Sequence, residues 1–107
     1  MKRVFISQPF SGKTESEVME QRNEITKKII NLIHETPYVF DQYHQDPPPK
    51  EIKCNNERIW YLGHSITLMS LADLVVFSKD YETATGCKAE MEIAQMYGLN
   101  IMMEEDL

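Results

Sequence analysis

The chain has 107 residues, 42% of them hydrophobic, and a formal net charge of −6 at pH 7. That length allows one domain, residues 1–107, built around one modest core. The acidic balance excludes a nucleic-acid polymer as partner, because phosphate neutralisation demands a basic face, although a single nucleotide needs only a few donors. Cys54 and Cys87 are too few and too irregularly placed for a disulfide framework or a zinc site. No apolar run reaches the roughly 18 residues of a membrane span, and the start MKRVFIS carries only a strand-length apolar run. The expectation is a reduced, cytoplasmic protein with no membrane contact.

KRVFIS (2–7), β-branched and aromatic and bounded by Gln-Pro, predicts a buried first strand. The overlapping stretch FISQPFSGKT (5–14) nearly spells a phosphate-binding loop. Gly12, Lys13 and Thr14 fit, but Ser7 stands where the first glycine belongs. The stretch does lead from a strand into a helix, the right setting for anion binding at a helix N-terminus. A nucleotide-hydrolysing loop would also need an acid at the end of a strand, and the acid found here, Asp73, precedes one instead. A polar turn with a helix cap is the plainer reading.

Thr14 and Glu17 form a capping box for a helix over 14–35, with Val18, Ile25, Ile29, Leu32 and Ile33 at helical spacing. PYVFD (37–41) predicts a second strand. In QYHQDPPPKEIKCNN (42–56) three consecutive prolines exclude helix and central strand. A loop of that length is either a binding loop or a plain surface excursion. ERIWYLGHSITLMSLA (57–72) predicts a second helix with Ile59, Leu62, Ile66 and Met69 on one stripe, and DLVVFS (73–78) a third strand. GCKAEMEIAQMYG (86–98) predicts a third helix closed by Gly98, and LNIMME (99–104) a last strand. The alternation predicts an α/β fold, a Rossmann-like or flavodoxin-like three-layer sandwich with a parallel sheet of four to five strands. Ligands in such sheets sit at the carboxyl ends of the strands, near a switch in strand order.

Two acids stand out. Asp73 lies where a helix gives way to a buried strand, a common place for a turn residue. It lies at the amino end of that strand, which is the wrong end for a ligand site. Glu90 falls about one turn into the third helix, where the dipole favours an ionised carboxylate. A carboxylate kept ionised beside a bound sugar can attack the anomeric carbon, or stabilise an oxocarbenium-like transition state. Helix stability alone would also explain a glutamate there. Glu92 points to another face, and the histidines His34, His44 and His64 have no partners at metal-ligand spacing, so no metal site is expected. The seven methionines fit core filling.

RVFISQPFSG, LADLVVFS and GCKAEMEIAQMYGLNI, in that order, resemble the nucleoside 2-deoxyribosyltransferase superfamily, and are similar also to the deoxynucleoside 5′-monophosphate N-glycosidases. The resemblance implies N-glycosidic bond chemistry on a Rossmann-like fold without a cofactor. The family's catalytic glutamate lies four residues after a glycine and four before an alanine, a spacing matched by Gly86, Glu90 and Ala94. The resemblance makes Glu90 the nucleophile and Asp73 the acid that protonates or orients the base. It gives the substrate-binding role to Ser7, Gln8, Pro9, Phe10, Ser11, Gly12 and Lys13 of the first loop, with Thr85 and Gly86 before the helix, and Lys13 a point charge for a phosphate. Where the family usually places Ser or Asp, two residues before the motif glycine, this chain has Ala84; Thr83 or Thr85 would have to substitute. The implied partners are a small nucleoside or nucleotide and a second copy of the chain, a homo-oligomer, with a dimer the simplest case. A pocket of the same kind that binds and sequesters a nucleotide without turning it over is the alternative.

Overall fold

The computed structural model describes all 107 residues. Four strands, β1 (Arg3–Ser7), β2 (Tyr38–Val39), β3 (Leu74–Phe77) and β4 (Ile101–Met103), alternate with three helices, α1 (Glu15–Ile33), α2 (Glu57–Met69) and α3 (Thr85–Met96). All neighbouring strands are parallel, in the order β2-β1-β3-β4. The order reverses between β1 and β3, the switch point at which a doubly wound sheet opens a crevice at its carboxyl edge.

Side-chain alternation along the central strands builds the three layers. Val4 and Ile6 of β1 with Leu74 and Val76 of β3 face α1, where Ile25 and Ile29 complete one core. Phe5 with Val75 and Phe77 face the other way, against Met69 of α2 and Ala94 of α3. Val4–Ile6 of β1 and all of β3 are therefore apolar, as expected of a sheet covered on both faces. Ser7 shares the face of Phe5, two residues back, and so points toward the α2/α3 layer.

The expected elements are found with ends displaced by a few residues. The Thr14–Glu17 capping box is present in full, with Thr14 Oγ1 accepting from the Glu17 N–H at 3.1 Å and Glu17 Oε1 from the Thr14 N–H at 2.9 Å. Two stripes are narrower than their spacing suggested. Leu32 is 46% exposed at the outer edge of α1, and Ile59 is 65% exposed near the start of α2, beyond the cover of the sheet. No helix is long and apolar enough to cross a membrane.

Candidate active site

The buried face of α3 carries Cys87, Glu90 and Ala94, so a carboxylate sits on a stripe that otherwise faces the core. Glu90 is 7% exposed, and its Oε1 accepts a hydrogen bond from Ser7 Oγ at 2.7 Å. This contact joins residues far apart in sequence across the switch point. Burial pushes the Glu90 carboxyl up to about 7, with hydrogen bonding from the Ser7 and Ser65 hydroxyls pulling it back down. The helix dipole was expected to favour the ionised form of this group. The correction is physical: Glu90 lies in the second turn, the dipole's influence fades beyond the first, and desolvation dominates.

Glu90 lies on a cavity of about 550 Å³. Gln8, Pro9, Phe10 and Ser11 of the first loop form one wall, and Thr85 and Gly86 at the start of α3 form another. Of the residues the sequence singled out, these gather around Glu90; Ser7, Gly12, Lys13 and Asp73 do not line the cavity, Ser7 being buried behind it and bonded to Glu90. Gly12 instead closes the turn from Phe10 to Lys13, with φ +76° and a Lys13 N–H to Phe10 carbonyl bond of 3.1 Å. That left-handed conformation suits glycine and accounts for its presence without a phosphate.

Lys13 departs from the expected role of phosphate charge. Its Nζ lies 2.9 Å from Asp80 Oδ2 and 3.1 Å from Gln21 Oε1, so its charge is already met within the protein. Asp80 Oδ1 accepts further bonds from Ser78 Oγ at 2.7 Å and Gln21 Nε2 at 2.9 Å. Partial burial opposes ionisation of Asp80, but these donors outweigh it and hold the carboxyl down at about 2. Gln21 Oε1 also accepts from Gln8 Nε2 at 3.0 Å, and Gln8 Nε2 reaches the Val18 carbonyl at 3.1 Å. A single network thus ties the first loop to α1 and to the turn after β3.

Asp73 is the larger departure. It precedes β3 at the amino edge of the sheet, where its Oδ2 accepts from the Arg3 N–H at 2.8 Å and lies 3.5 Å from Arg3 Nε. Ser78, at the site edge, lies five residues further along, about 16 Å up the strand. The base-protonating role that the resemblance gave to Asp73 therefore has no support at this position. Glu90 is the one carboxylate on the cavity.

The remaining walls come from residues that the sequence did not single out. Arg58, Tyr61, Leu62 and Ser65 of α2 fall at i, i+3, i+4 and i+7, one helical face turned to the cavity. The predicted apolar stripe shares only Leu62 with that face. Gln42, Tyr43 and Gln45, from the start of the proline-rich loop, line the cavity too, so this loop is partly a wall and not only an excursion. Tyr43 meets Phe10 edge to face with ring centroids 5.1 Å apart. The amide nitrogens of Gln8, Gln42 and Gln45 donate to the carbonyls of Val18, Ile6 and Gln42 respectively. Their side-chain oxygens are left buried without a donor. Cys87 also lines the cavity, but burial pushes its thiol up to about 12, which removes it as a nucleophile. Ala84 is the N-cap of α3 and supplies no side-chain cap. Thr83, whose Oγ1 donates to the Asp80 carbonyl at 2.8 Å, lines the cavity together with Ala84 and Thr85.

This arrangement of strands and helices has a counterpart among solved structures. A 2-deoxyribosyltransferase from Bacillus psychrosaccharolyticus, described as a biocatalyst for nucleoside synthesis, superposes with a TM-score of 0.61 over 94% of this chain and 70% of its own, at 16% sequence identity. The chain has the fold of that 2-deoxyribosyltransferase. No protein-family model matches the sequence, and no curated protein matches it either. The fold is thus shared at low sequence identity.

Proposed function

We propose that this protein cleaves or transfers the N-glycosidic bond of a (deoxy)nucleoside or its 5′-monophosphate, with Glu90 as nucleophile. The observation that carries the proposal is a carboxylate set on the wall of a ligand-sized cavity and held by Ser7 Oγ at 2.7 Å. The hydrogen bond from Ser7 fixes one oxygen and leaves the other for an anomeric carbon. In the first step a Glu90 oxygen bonds to C1′ as the C1′–N bond breaks. The bonding pair leaves with the base, which takes a proton from water, since no second carboxylate lines the cavity. In the second step the oxygen of water, or a nitrogen of a second base, attacks C1′ and the ester to Glu90 opens. The proton lost by the attacking group goes to solvent.

Supporting the same substrate class, Phe10, Tyr43 and Tyr61 offer aromatic surface for a base. The test is a panel of nucleosides and 5′-monophosphates incubated with wild type and Glu90→Gln, with free base followed by chromatography. Base release that disappears in Glu90→Gln is expected; undiminished release would refute the assignment.

The lack of a second carboxylate favours one other reading, a pocket that captures a nucleotide without turning it over. Retaining glycosidases ordinarily pair two carboxyl groups, and here Asp73 stands at the far edge of the sheet. Saturable binding with ligand recovered intact after long incubation would favour this second reading.

A further inference from the structure

Only two charged side chains line the cavity, Glu90 and Arg58. Arg58 is exposed and takes no part in the ion pairs of the structure, which leaves its guanidinium free. Its place on α2 is also poor for helix stability. Asn56 is the N-cap, so Arg58 sits in the first turn, where the macrodipole disfavours a cation. A residue that breaks a local rule without a compensating contact is a candidate for a ligand-directed role.

The helix fixes where that cation stands. Arg58 and Ser65 lie seven residues apart on one face, about 10 Å along the axis. Ser65 and Glu90 both line the cavity, and Tyr61 and Leu62 fill the interval between Ser65 and Arg58. The α2 wall therefore runs from a neutral hydroxyl at the reacting carboxylate, through apolar surface, to a free guanidinium at the mouth. The molecule as a whole is acidic, at −6, and Arg58 is the one cationic side chain on the cavity, so it favours an anionic ligand there.

We infer that Arg58 is a specificity-determining residue that holds the phosphate of a phosphorylated ligand, so that the site prefers the nucleoside 5′-monophosphate over the nucleoside. This rests on the N-glycosidic reading above, and sharpens it from two ligand forms to one. A planar guanidinium can meet two phosphate oxygens at once, which lysine cannot do. Lys13, the cation that the sequence pointed to, is already engaged by Asp80.

The test compares wild type, Arg58→Ala and Arg58→Lys on matched nucleosides and 5′-monophosphates carrying the same bases. Base release is measured with Glu90 present, and ligand-induced melting shifts in the Glu90→Gln background. Wild type is expected to favour the monophosphate, and Arg58→Ala to shrink the monophosphate-to-nucleoside ratio of kcat/KM by about tenfold to a hundredfold, mainly through KM. Arg58→Lys should recover part of the ratio. A ratio of one in wild type, or a preference that survives Arg58→Ala, overturns the inference while leaving the N-glycosidic reading intact. So does a loss that follows the identity of the base and not the presence of phosphate. If neither ligand form shifts the melting temperature or releases base in any variant, the underlying reading fails, and the inference with it.

Discussion

At the amino edge of the sheet, Asp73 lies in solvent and accepts a hydrogen bond from the backbone of Arg3, which lowers its carboxyl into the firmly ionised range. At the carboxyl edge of the same strand the chain emerges into Ser78 and Asp80, beside Glu90. Asp80 is ionised because Ser78, Lys13 and Gln21 all donate to it. Glu90 has hydroxyls for partners and no cation, so burial holds it near neutrality. The contrast shows that the partners and water left to a carboxylate decide its chemistry. Only the group deprived of both cation and solvent has its change of charge set near pH 7.

Substitutions at the two edges should separate them sharply. The largest effect is expected for Glu90→Gln, which should reduce base release by about a thousandfold or more, while Asp73→Asn stays within a few-fold of wild type in the same chromatographic assay. Comparable losses in both would break the distinction between the edges.

The pH dependence comes next. A nucleophile with its carboxyl at about 7 should give kcat/KM that climbs about tenfold per pH unit below 7 and levels above it. Stability should move the other way. The folded-state value of Glu90 lies above its ordinary 4.5, so the native state binds the extra proton, and stability falls as pH rises from about 4.5 to 7. Glu90→Gln removes that penalty, and its melting temperature should exceed wild type at pH 8 by an amount worth roughly 2–3 kcal/mol, with little difference at pH 4.5. Ser7→Ala should shift the activity limb to higher pH, because it takes away a donor to the ionised form.

A smaller effect is expected at Asp80. Its carboxyl is depressed, so it stabilises the fold above about pH 3.8, and that stabilisation is lost as pH falls toward 2. Asp80→Asn should cost about 1 kcal/mol at pH 7 in denaturant titration, after allowance for solvent screening. It should also raise KM, by loosening the Gln21 bridge to Gln8. Asp73→Asn, at the exposed amino edge of the sheet, should change stability least of all.

Much of this architecture was legible in the sequence. The apolar runs 2–7 and 73–78 are long enough and rich enough in β-branched residues to mark the two central strands, and Thr14 with Glu17 marks the start of α1 within one residue. Glu90 was legible through its spacing from Gly86 and Ala94, and its place between buried Cys87 and Ala94 gives the spacing a physical meaning. Strand direction had already set Asp73 at the wrong edge, against the role carried over by resemblance. The α2 wall was not legible, because apolar periodicity finds the core-facing stripe and says nothing of the mixed stripe that begins at Arg58. Lys13 was misread for a related reason: its partner Asp80 lies 67 residues away and meets it only when the sheet forms.

The most direct test of Glu90 as the reacting group is intact-mass measurement on acid-quenched protein during turnover, followed by peptide mapping. The expected result is a mass gain of one glycosyl unit, mapped to Glu90 and absent from Glu90→Gln. Sustained base release by Glu90→Gln at the wild-type rate, or an adduct mapped to another residue, would contradict it.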